Sequence, residues 1–150
     1  MGRLSERLAA SPVIGLDTSI FIYHFEEHPS YFDLTQKLLA GVESGQWYAV
    51  TSLITLMELI VRPLQLKRQD IARKYEALLV NFPNLDVVEL DRETIRRAAQ
   101  LRANYRLRPA DALQAAASLV HSATAFVTND GRLKCLHPLL EVVVLDDCRR

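Results

Sequence analysis

The stretch Val13-Ile14-Gly15-Leu16-Asp17-Thr18-Ser19 decides the fold. Its first four residues form a short apolar run that is typical of a buried strand. The next three supply side chains suited to capping a helix, and apolar residues continue from about Ile20 with helical spacing. A buried strand that passes directly into a helix is the repeating unit of α/β proteins.

The rest of the chain repeats this alternation. Further strands are expected at 47–51, 85–90, 125–127 and 142–145. Further helices are expected up to Gly45, after Ser52, at 70–82, after Asp91, and from Pro109 to near His121, with Pro63 interrupting the second of these. Short, β-branched strands between helices predict an α/β fold, with a mainly parallel central sheet that is flanked by helices on both faces.

Composition favours one globular domain. The chain has 150 residues, of which 49% are hydrophobic and 24% charged, which predicts a single domain over residues 1–150 with its core at about 13–145. No apolar run reaches the roughly 20 residues of a membrane span, and the N-terminus lacks the apolar region of a secretory signal. Two isolated cysteines, Cys135 and Cys148, do not form a disulfide framework or a zinc motif. We therefore expect a cytoplasmic protein.

Two acidic residues occupy positions where α/β proteins bind ligands, beyond the carboxyl ends of the strands, and a third opens a helix. Asp17 and Asp130 each follow a predicted strand, and Asp111 lies in the first turn of an Ala-rich helix. Each has an ordinary structural explanation, as a helix cap, an Asp-Gly turn and a partner of the helix dipole respectively. Their expected convergence at one edge of the sheet is what favours a site.

Glu58 is harder to explain structurally. It interrupts an apolar helix, where a carboxylate is costly unless it is paired or bound to a cation; an ion pair with Arg62 is the alternative. Four carboxylates close together raise one another's pKa unless a cation neutralises them. Ligands that are all oxygen favour Mg²⁺ or Mn²⁺, and such ions support phosphodiester cleavage.

Four segments resemble, in order and approximate spacing, the motifs of PIN-domain ribonucleases, and above all those of VapC-type toxins from toxin–antitoxin pairs. The segments are Leu16-Asp17-Thr18-Ser19, Thr55-Leu56-Met57-Glu58-Leu59, Ala110-Asp111-Ala112-Leu113-Gln114-Ala115-Ala116 and Thr128-Asn129-Asp130. The resemblance extends over residues 13–145. It implies an endoribonuclease that depends on Mg²⁺ or Mn²⁺, cleaves single-stranded or loop RNA, forms a homodimer and is inhibited by a cognate antitoxin.

The resemblance also assigns residues. Asp17, Glu58, Asp111 and Asp130 match the catalytic, metal-binding acids, and Thr128 matches a hydroxyl position that often joins them. Thr18 and Ser19 are expected to support the site, although Ser19 stands where the family frequently has Asn.

The charge balance leaves RNA binding open. Lys and Arg number 18, as do Asp and Glu, so the net charge is zero; if four acids hold metal, the other 14 leave a basic surplus of four. Several arginines precede Asp111, and of these Arg102, Arg106 and Arg108 are candidate RNA contacts. A solvated helix face explains the same arginines equally well.

Other functions fit the sequence less well. His24-Phe25-Glu26-Glu27-His28 has the H-x-x-E-H pattern of some zinc peptidases, but Pro29 disfavours a helix at His28. Phosphatases that form an aspartyl-phosphate require a second Asp where Ser19 stands. The alternatives within the fold are an RNA-processing nuclease without an antitoxin and a non-catalytic binding module.

Overall fold

Helices and strands alternate along residues 2–149, the part of the chain that the computed structural model describes. The strands are β1 (Val13–Leu16), β2 (Tyr48–Ser52), β3 (Leu85–Val88), β4 (Ala125–Thr128) and β5 (Glu141–Val144). The helices are α1 (Gly2–Leu8), α2 (Thr18–Phe25), α3 (Phe32–Glu43), α4 (Leu53–Gln65), α5 (Gln69–Val80), α6 (Arg92–Tyr105) and α7 (Pro109–Val120). Short 3₁₀ helices follow β4 and β5, at Gly131–Leu136 and Leu145–Cys148.

The strands form one sheet in the order β3-β2-β1-β4-β5, and every neighbouring pair is parallel. β1 is central, with Gly15 opposite Val50 on one side and Phe126 on the other. The chain extends the sheet from β1 to β3 in one direction and then from β4 to β5 in the other. The carboxyl ends of β1 and β4 therefore flank the topological switch point, where sheets of this kind bind ligands.

Apolar residues cover the sheet on both faces. One cluster includes Leu4, Phe21, Leu38 and further side chains from α1 to α5, and the other includes Leu101 and side chains of α6 and α7. The predicted α/β fold, with a parallel sheet between helical layers, is confirmed.

Gly15 allows α7 to pack directly on β1. A Cβ atom at this position would overlap the side chain of Ser118, so any larger residue would push α7 away from the sheet. This close approach holds α7, and with it Asp111, against the central strand.

The predicted element bounds differ from the structure by one or two residues, but two expectations need correction. Pro63 does not interrupt its helix: α4 continues to Gln65, because Pro63 lies in the last turn and removes only one helix hydrogen bond while its ring is buried. The apolar pattern also failed to indicate α1, whose Leu4 and Leu8 are fully buried. The backbone carbonyl of Leu8 accepts a hydrogen bond from Trp47 Nε1 at 3.2 Å.

Across residues 2–149, no helix has the length and apolar character that a bilayer crossing requires.

Candidate active site

Asp17 is held between β1 and β4. It caps α2, and its Oδ1 accepts a hydrogen bond from the Thr18 N–H at 2.9 Å. Its Oδ2 accepts one from Oγ1 of Thr128, the last residue of the neighbouring β4, at 2.7 Å. Parallel pairing of the two strands thus places the hydroxyl beside the carboxylate.

Burial is the main cause that raises the pKa of Asp17, and the two hydrogen bonds oppose this rise. The negative charges of Asp111 and Glu58 also raise it, and the net pKa is about 6. The ionised form of Asp17 is thus poorly stabilised by the protein, and a nearby cation would favour it.

Glu58 faces the same region from the middle of α4. Its Oε1 accepts a hydrogen bond from Thr18 Oγ1 at 2.6 Å. The alternative ion pair with Arg62 is absent from the ion pairs found between residues 2 and 149. Glu58 is half-buried, whereas its neighbours Met57 and Val61 are exposed, so this carboxylate lies at the margin of the core and not inside it.

Asp111 and Asp130 are bound by two arginines. Arg108, the N-cap of α7, donates from Nε to Asp111 Oδ2 at 3.1 Å and lies with its Nη2 3.5 Å from Asp130 Oδ2. Arg132 donates from Nη2 to Asp130 Oδ2 at 2.6 Å. The hydrogen bonds from Arg132 hold the pKa of Asp130 below its ordinary value. Arg108 therefore bridges two of the predicted site acids.

The four acids line one open cleft of about 480 Å³. Its other lining residues are Thr18, Ser19, Ile22, Tyr23, Arg108, Thr128, Asn129, Gly131 and Arg132. Of the predicted site residues, the cleft therefore brings together all four acids, Thr18, Ser19, Thr128 and Arg108. It lies at the switch point between β1 and β4.

The cleft fits a hard cation after one adjustment. Between residues 2 and 149, no three His, Cys, Asp or Glu side chains are grouped closely enough to hold one ion. Asp111 and Asp130 form ion pairs with arginines. These carboxylates would have to give up the ion pairs before they could bind a cation. Within the part of the chain that the structure describes, Glu58 Oε2 and Asp111 Oδ1 accept no hydrogen bond, and Ser19 Oγ is buried without a partner. These free oxygen atoms are the ligands that Mg²⁺ and Mn²⁺ prefer.

Two of the three candidate RNA-binding arginines do not line the cleft. Arg102 donates from Nε to the carbonyl oxygen of Leu107 at 3.0 Å, and Arg106 ends α6 in a left-handed conformation with φ 55°. Of these three, Arg108 alone reaches the acids. Arg132 also contacts Asp130 and was not among the predicted site residues, although its position two residues after Asp130 in a tight turn is a usable signal.

The two histidines of the H-x-x-E-H pattern do not share a helix. α2 ends at Phe25, so His24 lies within it and His28 beyond it. The His24 ring stacks on Phe32 with 5.3 Å between ring centroids, and His28 Nδ1 accepts a hydrogen bond from the Ser30 N–H. This geometry does not form the paired ligands of a zinc peptidase.

Solved structures with the same fold include a chain of a toxin–antitoxin complex. A chain of a toxin–antitoxin complex from Klebsiella pneumoniae is 21% identical, with a TM-score of 0.64, and the match covers 89% of this chain and 97% of that one. A chain of FitAcB from Neisseria gonorrhoeae is 19% identical, with a TM-score of 0.65 and the same two coverages. A chain of DNA-bound VapBC from Salmonella typhimurium is 21% identical, with a TM-score of 0.61 and again the same coverages. These likenesses show a shared fold.

Sequence comparison identifies the family. No curated protein matches the chain significantly. The PIN domain family matches residues 14–136, which include all but the first residue of β1, the whole of β2 to β4 and all four carboxylates of the cleft. Because this match covers most of the sequence, the chain belongs to the PIN domain family, whose members are nucleases.

Proposed function

We propose that the chain is an endoribonuclease that uses Mg²⁺ or Mn²⁺ to cleave single-stranded or loop RNA. One observation carries this proposal: carboxylates from four separate segments line a single cleft at the switch point of the sheet. Asp17, Glu58, Asp111 and Asp130 are the proposed catalytic residues and metal ligands.

A bound cation would supply Lewis-acid stabilisation of the charge that develops on the phosphate during hydrolysis. The chain prepares the site by fixing two acids in advance: Thr18 and Thr128 hold Asp17, and Thr18 also holds Glu58. Asp111 and Asp130 would complete the ligand set when they release Arg108 and Arg132.

The released arginines are suited to bind the RNA backbone. A guanidinium group donates paired hydrogen bonds to phosphate as readily as to carboxylate. Arg108 and Arg132 are both more than 60% exposed, at 64% and 66%, so they have room to turn from the acids toward a substrate. Water is the proposed nucleophile, because the described lining residues include no His, Cys or Lys, and the hydroxyls of Thr18 and Thr128 already donate to Glu58 and Asp17.

Cleavage of a labelled single-stranded RNA by the purified chain tests the activity. We expect cleavage with Mg²⁺ or Mn²⁺ and none in EDTA. Asp17→Asn and Asp111→Asn should each abolish cleavage while the circular dichroism spectrum is retained. Asp33→Asn is the matched control, because Asp33 lies on α3 and, among residues 2–149, pairs only with Lys37.

Full activity in EDTA, or in the Asp17→Asn protein, would overturn the metal-dependent mechanism. A folded wild-type protein that binds RNA but never cleaves it would instead support a non-catalytic binding module.

We further propose that the enzyme is the toxin of a type II toxin–antitoxin pair in the cytoplasm. Its structural neighbours include a chain of a toxin–antitoxin complex and a member of the VapBC family of toxin–antitoxin systems. Arg108 already bridges two carboxylates, so the cleft can accept a guanidinium from a partner in the same place. Half-buried aromatic side chains beside the cleft, among them Tyr23 and Tyr31, would contact the rest of such a segment.

Expression in a bacterial host tests the toxin role. The wild-type chain should arrest growth, Asp111→Asn should not, and co-expression of the adjacent open reading frame should relieve the arrest and yield a co-purifying complex. A catalytically active chain that is harmless and binds no such partner would be an RNA-processing nuclease without an antitoxin.

We also propose that the chain is a homodimer, which light scattering of the purified protein measures directly. A monomer mass at micromolar concentration would contradict this part of the proposal and would leave the nuclease assignment unaffected.

A further inference from the structure

A network of buried polar side chains lies directly beneath the cleft. Its members come from α2, from the end of β2, from α4 and from α7, and each is at most 5% exposed: Thr18, Thr51, Ser52, Thr55 and Gln114. Buried polar groups are costly unless each is hydrogen-bonded, so the arrangement of donors in this network is strongly constrained.

Gln114 is the centre of the network. Its Oε1 accepts a hydrogen bond from Ser52 Oγ at 2.6 Å. Its Nε2 donates to Thr55 Oγ1 at 2.7 Å and to Thr18 Oγ1 at 3.0 Å. One amide thus joins α7 to β2, α4 and α2 at once.

The donor and the acceptor of each hydroxyl hydrogen bond from Thr51 to Glu58 can be assigned. Thr51 donates to the carbonyl oxygen of Leu16 at 2.9 Å, so the proton in its 2.7 Å contact with Thr55 belongs to Thr55. Thr18 accepts a hydrogen bond from Gln114. It also lies 3.1 Å from Thr55, but the hydroxyl proton of Thr55 is already donated to Thr51. The proton of Thr18 is therefore free to point at Glu58 Oε1, 2.6 Å away.

We propose that Gln114 is a positioning residue for the metal site, acting on Glu58 through the hydroxyl of Thr18. By donating to Thr18, the amide directs the Thr18 proton to Glu58 Oε1 and leaves Glu58 Oε2 without a donor among the described residues. Gln114 also lies one turn after Asp111 on α7, so its hydrogen bond to Thr55 ties the helix that carries Asp111 to the helix that carries Glu58. The inference rests on the proposed role of Glu58 as a metal ligand.

Mn²⁺ binding to the 150-residue chain, measured by isothermal titration calorimetry, tests the proposal without any need for turnover. Gln114→Met keeps the side-chain length but cannot donate to Thr18, and it should weaken Mn²⁺ binding about tenfold, as loss of a group that orients a ligand commonly does. Thr18→Val should weaken binding similarly, and Thr18→Ser, which keeps the hydroxyl, should recover most of the loss.

Ser118→Ala is the matched control. Ser118 is buried on α7, and its hydroxyl donates to the backbone carbonyl of Gln114 without reaching Glu58. A merely structural role for Gln114 predicts that both variants lower the melting temperature and that neither changes Mn²⁺ affinity. If Gln114→Met fails to fold, Gln114→Asn, which withdraws the amide by one methylene, gives the same comparison.

The outcomes separate this inference from the proposed function. Unchanged Mn²⁺ affinity in the Gln114 variant, beside normal binding by the wild type, overturns the positioning role alone. Failure of the wild type to bind Mn²⁺ overturns the metal-dependent function. In that case a crystal structure of Gln114→Met decides the inference: Glu58 turned away from Thr18 supports it, and a retained Thr18–Glu58 hydrogen bond refutes it.

Discussion

At the scale of single residues, Asp17 combines two opposing influences. Its two carboxylate oxygens accept hydrogen bonds from Thr18 and Thr128, which favour the ionised form. Burial and the neighbouring acids have the larger effect and raise the pKa from 3.8 to about 6. In the absence of a cation, Asp17 therefore weakens the fold at neutral pH.

The stability of the metal-free protein should consequently depend on pH through this residue. The folded chain binds more protons than the unfolded chain between about pH 4 and 6, so the free energy of unfolding falls as pH rises through that range. A pKa change of this size corresponds to about 3 kcal/mol. Asp17→Asn should remove most of this fall, measured by urea denaturation in EDTA at several pH values. Asp33→Asn is the control. If the free energy of unfolding of the Asp17→Asn protein falls equally steeply with pH, the pH dependence does not arise from Asp17.

Glu58→Gln tests repulsion within the acid group. A glutamine Oε1 can still accept the hydrogen bond from Thr18, while the negative charge is removed. We expect the variant to melt at or above the wild-type temperature in EDTA and below it when Mn²⁺ is added. Glu76→Gln, on the exposed surface of α5, is the control. Its melting temperature should not move from above to below the wild-type value when Mn²⁺ is added. Melting of Glu58→Gln well below wild type in EDTA would mean that the Glu58 charge stabilises the fold.

At the scale of elements, the N-terminal end of α7 carries both an acid of the cleft and the arginine that binds it. Arg108 competes with any cation for Asp111 and Asp130. Removing Arg108 should therefore strengthen Mn²⁺ binding. The gain should be at most about fivefold, because an exposed ion pair contributes roughly 1 kcal/mol or less.

Titration calorimetry of Arg108→Gln with Mn²⁺ measures this competition. Arg96→Gln, which changes an exposed arginine of α6 outside the cleft, is the control. Equal or weaker affinity in Arg108→Gln than in the wild type would show that Arg108 does not compete.

α1 illustrates an element that contributes to the core without a clear sequence signal. Leu4 and Leu8 are fully buried, yet Arg3, Glu6 and Arg7 interrupt the apolar pattern around them. Leu8→Ala should lower the free energy of unfolding by about 2–5 kcal/mol. Leu78→Ala, at an exposed position of α5, should change it far less in the same urea denaturation experiment. Similar effects of both substitutions would show that α1 does not pack as described.

The features that could be predicted from the sequence are those that a few adjacent residues determine. The acids at the ends of β1 and β4 were predictable, because a strand end, a cap and a turn are each specified by a few adjacent residues. Pro63 was misjudged because its effect depends on how near the helix end it lies. The contacts of Gln114 with Ser52 and Thr18 join residues 62 and 96 positions apart, so only the folded chain reveals them.

At the scale of the whole molecule, the sheet topology explains how a few side chains from distant parts of the chain form the acidic cleft. Reversal of strand order between β1 and β4 opens a cleft at the carboxyl ends, and α4 and α7 each bring one further acid to it. Gly15 allows α7 to lie against β1 at van der Waals distance, so the position of Asp111 follows from the packing of the sheet. The cleft is thus defined by the fold and not by a flexible loop.

Under the proposed function, the two arginines in the cleft would make cation binding an ion exchange, in which guanidinium groups leave the carboxylates as the metal enters. The wild-type cleft holds four acids and two arginines, so it attracts divalent ions less strongly over long range than four unpaired acids would. Added monovalent salt weakens both the attraction of the incoming ion to the carboxylates and the attraction of the two arginines to them. The Mn²⁺ affinity of the wild type should therefore change only shallowly with ionic strength, and that of Arg108→Gln more steeply, so metal occupancy in the native protein is buffered against the salt content of its surroundings.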